Sequence, residues 1–227
     1  KGGRTIMQYT VKQKKSLSNN MIFLLLCALV VVFLAPILFI VVNSFKGKFF
    51  ISDNPFSFPT AETFVGITNY INGLEKTGFL SAMGWSFFIT IGSVLVILLF
   101  TSMTAYYITR VKGKMTSAIY YMFVFSMIVP FQMVMFPTVK LADMLSLSNP
   151  IGMIALYLGF GSGLSVFMFS GFIKGLPREI EEAAMIDGCS PIKTFFLVVF
   201  PILKPTSITV AILNAMWIWN DFLLPYL

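Results

Sequence analysis

Histidine is absent from the sequence, and charged residues are scarce. None of the 227 residues is His, which excludes catalytic triads and metal centres that depend on imidazole. Charged side chains make up 11% of the chain, whereas soluble domains carry roughly 25%. Because 57% of the residues are hydrophobic and the mean hydropathy is +0.87, there is too little polar surface to cover a water-soluble globule. The composition therefore predicts an integral membrane protein.

Cysteines and membrane-embedded carboxylates are also few. Cys27 lies in an apolar run and Cys189 in a polar loop, so the two predict neither a disulfide nor a metal cluster. No pair of carboxylates falls within the apolar runs, which argues against an ion-coupled carrier, since such proteins usually bury acidic or histidine residues. The Gly-Lys pairs at 47–48 and 113–114 do not belong to a GxxxxGK[ST] loop. Any energy from ATP must therefore come from another chain.

Several apolar stretches are long enough to cross a bilayer, which takes about 20 mostly apolar residues. We expect five spans, at 21–42, at 81–108, between 114 and 140, at 150–173 and at 205–224. The polar stretch 43–76 reads as a loop on the outer side with a short interfacial helix. The predicted fold class is an all-α integral membrane protein, a helical bundle of five spans with a cytoplasmic helical loop.

The distribution of basic residues predicts which side of the membrane each loop faces. With the N-terminus in the cytoplasm, twelve of the 16 Lys and Arg residues fall on the inner side and four on the outer side. Basic loops are retained at the cytoplasmic face. We therefore predict a multi-pass plasma-membrane protein with a cytoplasmic segment 1–20 and a single transmembrane domain 21–227. Its cytoplasmic loop is 174–204, and this use of charge argues against nucleic-acid binding.

The cytoplasmic loop carries start and stop signals for two short helices. Pro177 suits the first position of a helix, and the acidic residues within 179–182 match the helix dipole. Gly188 can adopt the left-handed conformation that ends a helix. Ser190, followed by a proline, is a second N-cap signal, and we expect that helix to end at Pro201.

This loop resembles the EAA loop of permease subunits in binding-protein-dependent ABC importers. The family pattern is Glu-Ala-Ala, three residues, Gly, nine residues and Ile-x-Leu-Pro. Here it reads Glu182-Ala183-Ala184, then Gly188 preceded by Asp187, then Val198-Val199-Phe200-Pro201, with Val and Phe in place of Ile and Leu. Residues 174–179 and 219–222 are similar to carbohydrate importers of the maltose and oligosaccharide type. The resemblance follows nearly the whole chain in span order and is residue-specific only over about 174–225.

The resemblance implies a role for the loop and a set of partners. Glu182, Ala183, Ala184, Asp187 and Gly188 would contact an ATPase subunit, with Pro201 ending the second helix of the loop. ATP and Mg²⁺ would be held by two ATPase subunits, so this chain would need no cofactor and would not be an enzyme. The other partners would be a second permease subunit, an extracellular solute-binding protein and a sugar. Because these permeases usually have six spans and the chain begins at Lys1, we expect the sixth span to be missing.

Three residues at membrane depth are candidates for the solute path. Asn214 and Gln132 either line that path or bond to a neighbouring helix, since a polar group buried without a partner is costly. Gly161 either allows close helix packing or marks a flexible point along the pore.

Two other classes of protein stay open at this stage. One is a channel or ion-coupled carrier that works without an ATPase, and the other is a membrane scaffold that moves no solute. Within the importer reading, the solute is a sugar or, alternatively, a polyamine, a peptide or a phosphoester.

Overall fold

The computed structural model describes the backbone of residues 2–227 and the side chains from residue 19 onward. Within these residues the secondary structure is helical, apart from an isolated bridge between Lys46 and Phe64. The chain divides into two compact units, Lys1–Leu80 and Ser81–Leu227, which are described separately.

The first unit contains one long helix and a folded polar loop. Helix α1 runs over Gly2–Ser44, and its part Asn19–Ser44 contains an 18-residue stretch with a mean hydropathy of 3.3, which is apolar enough to cross a membrane. This confirms the first predicted span. Two short helices follow in the polar stretch, α2 (Lys48–Asp53) and α3 (Thr68–Lys76).

A buried lysine organises the polar loop of the first unit. The Lys46 side chain is 1% exposed, and its Nζ donates to the carbonyl oxygen of Asn54 at 2.9 Å. Asn69 Nδ2 donates to the carbonyl oxygens of Ser44 and Lys46, at 2.9 and 2.7 Å. These bonds satisfy the buried Lys46 ammonium group and tie the end of α1 to Asn54 and Asn69.

The remaining helices begin at residue 79. They are α4 (Phe79–Arg110), α5 (Lys114–Ser126), α6 (Phe131–Met144), α7 (Pro150–Lys174), α8 (Glu179–Ile186), α9 (Pro191–Thr194), a π-helical turn (Phe195–Val199), α10 (Phe200–Ile202), α11 (Lys204–Asn220) and α12 (Leu223–Tyr226). Helices α4 and α7 are each long and apolar enough to cross a membrane, which confirms the second and fourth predicted spans.

The third and fifth predicted spans are not straight helices. Helices α5 and α6 meet at a bend of 109°, and the α9–α10 run meets α11 at 75°. Pro130 explains the first break, because proline has no N–H to donate and disfavours helical geometry in the residue before it. Helix α11 ends at Asn220, short of the predicted 224, because Asp221 leaves helical geometry at ψ 124°. The described chain therefore has three straight candidate spans, or five if each bent pair crosses once.

The core of the second unit lies between α4, α7, the π-helical turn and α11. Its fully or almost fully buried side chains are Ile97, Ala105, Tyr157, Val166, Phe169, Ile173, Phe195, Val199, Leu203, Val210, Ile218 and Leu224. Large apolar side chains stay exposed elsewhere on the same helices, for example Leu95 at 61% on α4. A soluble protein rarely leaves so many apolar side chains exposed, whereas a helix that faces lipid requires it.

Candidate functional site: a two-helix loop

Helix α8 begins slightly later than the sequence predicts. Arg178 occupies the cap position and α8 starts at Glu179, so Pro177 precedes the helix and is not its first residue. The glutamates at 179, 181 and 182 fill the first turn, as predicted, where the positive end of the helix dipole stabilises negative charge.

The end of α8 is a tight turn centred on Gly188. Its φ is +89°, a left-handed conformation that disfavours residues with a side chain, and this confirms the prediction for Gly188. The Gly188 N–H donates to the Met185 carbonyl and the Cys189 N–H to the Ala184 carbonyl, both at 3.0 Å. This pair of bonds is a Schellman motif, which satisfies the carbonyls at the end of a helix. These bonds and the Gly188 backbone conformation therefore fix the direction in which the chain leaves α8.

The second helix of the loop is longer than predicted. Ser190 caps it, with its Oγ accepting from the Lys193 N–H at 3.4 Å. The helix was expected to end at Pro201, but it continues to Ile202. The π-helical turn just before the proline explains the difference: the Phe200 N–H bonds to the Phe195 carbonyl, five residues back. A widened turn of this kind accommodates an interruption in the usual hydrogen-bond ladder.

The residues predicted to contact an ATPase form one exposed face of the loop. Ile186 belongs to the same face and is 86% exposed, although the sequence reasoning did not select it. Glu182, Ala183, Asp187 and Gly188 are exposed, and Ala184 is half-buried. Pro201 lies apart from this face, in α10. The exposed face combines small, apolar and acidic side chains, a composition suited to docking on another protein.

Glu181 points away from this exposed face and is buried, with 6% of the residue accessible. Its Oε1 accepts from Arg110 Nε at 2.8 Å and from Arg110 Nη2 at 2.5 Å. Its Oε2 accepts from the Tyr106 hydroxyl at 3.0 Å. Both carboxylate oxygens are thus bonded to the last turn and a half of α4. We call Tyr106, Arg110 and Glu181 the α4–α8 latch.

Further bonds tie the same region together. Arg110 Nη2 also donates to the carbonyl oxygen of Leu176 at 3.2 Å, and Arg178 Nη2 donates to the carbonyl oxygen of Arg110 at 3.3 Å. The Tyr106 ring packs on Phe195, with ring centroids 5.3 Å apart, so the end of α4 contacts both helices of the loop. Sequence reasoning missed this network because its hydrogen-bonded residues lie 66 to 75 positions apart, and only their charges gave a signal.

Two of the three predicted solute-path residues meet in the core. Asn214 is 4% exposed, and its Nδ2 donates to Ser165 Oγ at 3.1 Å and to the Val210 carbonyl at 2.9 Å. Gly161 lies against it: a Cβ at Gly161 would be 2.7 Å from Asn214 Oδ1 and 2.7 Å from Ile97 Cδ1. Both residues therefore have packing roles in this conformation, between α4, α7 and α11. Gln132 is exposed on α6.

The end of α11 is held by polar and aromatic contacts. The Tyr157 hydroxyl donates to Asp221 Oδ2 at 3.0 Å, and Asp221 Oδ1 accepts from the Leu223 N–H at 3.1 Å. The Trp219 ring meets Phe87 edge-on, with centroids 4.9 Å apart. The motif at 219–222 thus fixes α11 to α4 and α7.

Comparison with known proteins identifies relatives that match most of the chain. It is 41% identical over 194 residues to AmyC of Thermoanaerobacterium thermosulfurigenes, a probable starch degradation products transport system permease protein, covering 86% of this chain and 70% of the relative. It is 34% identical over 220 residues to MsmG of Streptococcus mutans, a multiple sugar-binding transport system permease protein, covering 96% and 78%.

A solved structure and a family model agree with these relatives. The fold matches a chain in the crystal structure of a bacterial ABC transporter involved in the import of the acidic polysaccharide alginate. The TM-score is 0.75 at 20% identity, with 92% of this chain and 72% of that chain covered. The family model for binding-protein-dependent transport system inner membrane components matches residues 97–227, which include α8 and most of the core. The chain therefore belongs to the family of binding-protein-dependent transport system inner membrane components.

Proposed function

We propose that this chain is the permease subunit of an ATP-driven ABC importer and forms part of the path for a sugar or oligosaccharide. The observation that carries the proposal is the exposed face of α8, presented by a membrane protein of this family. A charged helix that ends in a rigid turn and leaves Ile186 in solvent is a surface in need of a partner. The alternatives of a carrier or channel without an ATPase and of a scaffold are not favoured by this family membership.

The partner of the exposed α8 face is, in this proposal, an ATPase subunit that holds ATP and Mg²⁺. Glu182, Ala183, Ala184, Asp187 and Gly188 form the contact. The chain itself then needs no cofactor, in keeping with its lack of a phosphate-binding GxxxxGK[ST] loop. A second permease subunit and an extracellular solute-binding protein complete the importer, and lipid surrounds the apolar helices.

The substrate class follows from the relatives. AmyC and MsmG are named for starch degradation products and for multiple sugars, and a further relative from Bacillus subtilis, MelC, is named for melibiose, raffinose and stachyose. These shared chemistries favour a sugar over a polyamine, a peptide or a phosphoester. In the described conformation Asn214 and Gly161 are packed together, so they contact a sugar only if α4, α7 and α11 separate during transport.

The proposal is tested by replacing Gly188 with valine in the assembled membrane complex. A β-branched residue at φ +89° is strained by roughly 1–2 kcal/mol, although no neighbouring atom blocks the space for a Cβ. If the docked turn must keep this shape, binding of the ATPase subunit weakens by about five- to thirtyfold. The measurement is the amount of ATPase subunit that co-purifies with the chain, together with sugar uptake into vesicles.

Two matched variants control this experiment. Gly188→Asn places a residue that tolerates the left-handed conformation at the same position, and we expect it to retain the ATPase subunit. Gly78→Val introduces the same kind of strain at φ +61° on the outer side, and we expect it to leave the complex intact. Wild-type protein that purifies without any ATPase, or a Gly188→Val variant that binds and transports normally, contradicts the proposed function.

A further inference from the structure

We propose that the α4–α8 latch of Tyr106, Arg110 and Glu181 transmits movement of the docked loop to the membrane-spanning helix α4. Glu181 and Arg110 are positioning residues: they touch neither ATP nor the sugar, and they act by keeping α8 and α4 together. This inference rests on the proposed function, because it gives the exposed face of α8 a mechanical connection inside the chain.

Helix α8 has two faces with different environments. Successive residues of an α-helix are turned by about 100° from each other, so Glu181 lies opposite Ala183 and Ile186. Ile186 is 86% exposed and Glu181 is 6% exposed. One face is therefore free for a partner while the other is fixed within the chain. A displacement of the exposed face by a partner is therefore transmitted to the residues of α4 that bond Glu181.

The buried face of α8 is held to α4 by an ion pair and hydrogen bonds in addition to packing. The Glu181 and Arg110 side chains are 8% and 13% exposed, and two Arg110 nitrogens bond one carboxylate oxygen while the Tyr106 hydroxyl bonds the other. Charge-assisted bonds of this kind fix direction as well as distance. The pair is shielded from water, so salt screens it much less than a surface pair.

Hydrogen bonds are donated both from α4 to the link between α7 and α8 and from that link to α4. Arg110 of α4 donates to the Leu176 carbonyl, in the link from α7 to α8, and Arg178 of that link donates to the Arg110 carbonyl. The Tyr106 ring packs on Phe195 in the second helix of the loop. Helix α4 is 32 residues long in all, and from this end it runs through the core at Ala105 and Ile97. Movement of the loop thus acts on the end of one continuous helix.

The test uses the complete importer in vesicles, with sugar uptake and ATP hydrolysis measured on the same preparation. In Glu181→Gln the exposed face of α8 is unchanged, so we expect the ATPase subunit to co-purify as in the wild type. Transport per ATP hydrolysed falls by roughly two- to thirtyfold, the range seen when residues along a coupling network are replaced. Tyr106→Phe removes one bond and leaves the ion pair, and it shows a smaller fall in the same ratio.

Glu179→Gln is the matched control, because Glu179 lies in the same helical turn but is exposed. It keeps the wild-type ratio of transport to hydrolysis. Glu181→Arg and Arg110→Glu each lower the transport per ATP hydrolysed. The double variant, in which the two charges are exchanged, recovers part of that loss. A purely structural role predicts that uptake and hydrolysis fall together, in proportion to the amount of assembled complex.

The outcomes separate the inference from the proposed function. If Glu181→Gln and Glu179→Gln have the same ratio, or if uptake and hydrolysis fall in proportion, the latch does not transmit movement. The ATPase contact then still stands, because it depends on co-purification and on Gly188. If the wild-type chain binds no ATPase subunit, the proposed function fails before the latch is tested.

Discussion

At the scale of single residues, Gly161 shows how closely the helices of the second unit approach. A Cβ at this position would lie 2.7 Å from both Asn214 Oδ1 and Ile97 Cδ1, which belong to α11 and α4. Even the smallest side chain at this position therefore requires the Asn214 and Ile97 side chains to shift. The glycine is needed for the space that it leaves, since its backbone is part of the regular helix α7.

We predict that Gly161→Ala destabilises the protein by about 1–3 kcal/mol, the usual cost of overpacking a core. The measurement is the thermal unfolding midpoint of the purified chain in mild detergent. Gly159→Ala on the same helix is the control, because a Cβ there meets no atom within 4 Å. Equal midpoints for the two variants contradict the close packing described for Gly161.

Sequence reasoning at this scale identified residue types better than their partners. The sequence marks Asn214 as a polar group at membrane depth, but its partner Ser165 lies 49 positions away and is one of many serines. Gly188 was predictable because its reason is local: the chain must turn just after a helix of eight residues. Glu181 was placed in the right helical turn for its charge, yet its bond to Arg110 depends on how α4 and α8 pack. Local geometry follows from neighbouring residues, and long-range pairing does not.

At the scale of helices, α7 has the clearest start signal in the chain. Asn149 Oδ1 accepts from the N–H groups of Ile151 at 3.1 Å and Gly152 at 2.9 Å, and Pro150 occupies the first helical position. These two bonds satisfy donors that have no partner within the helix.

We predict that Asn149→Ala destabilises the protein by roughly 0.5–2 kcal/mol, because α7 loses its cap. Asn149→Ser keeps an oxygen that can accept from the same N–H groups, and we expect it to stay close to the wild type. The free energy of unfolding is compared by denaturant titration of the purified chain. An alanine variant as stable as the serine variant contradicts a stabilising role for the cap.

The helices that were hardest to predict are those that bend. The spans at 81–108 and 150–173 were predicted within about two residues of α4 and α7. A long uninterrupted apolar run in a membrane must satisfy its own backbone hydrogen bonds, so it forms a single helix. The segment between residues 114 and 140 is also predominantly apolar, but Pro130 divides this segment into two helices that meet at 109°. The proline indicates where a break occurs. The angle depends on the contacts of the helices on either side.

At the scale of the whole molecule, the side of the membrane that each loop faces determines which partners that loop can meet. The proposed orientation places the N-terminus, the α4–α5 connection and the exposed face of α8 together in the cytoplasm. It rests on the excess of Lys and Arg in those segments. It also requires the bent pair α5–α6 to cross the membrane once, so that its end at Met144 faces outward.

We predict the labelling pattern of single cysteines in right-side-out membrane vesicles. The starting protein has Cys27 and Cys189 replaced by serine. A membrane-impermeant maleimide then labels Met144→Cys, a site 74% exposed in the structure, without any treatment of the vesicles. Lys112→Cys, in the connection between α4 and α5, is labelled only after permeabilisation. Protection of Met144→Cys indicates a re-entrant pair, and labelling of Lys112→Cys in sealed vesicles reverses the orientation.

The two-faced nature of α8 has a consequence for how this protein changes over evolutionary time. Glu181 and Glu182 are adjacent in sequence and chemically identical, yet one is bonded within the chain and the other faces outward. In the proposed complex, we expect a change at Glu181 to be compensated by a change at Arg110 in the same gene, and a change at Glu182 to be compensated in the gene of the docking partner. Neighbouring positions of one short helix are thus expected to co-vary with two different proteins. A permease moved into a foreign importer would keep its latch and would need only its outward-facing residues matched to the new partner.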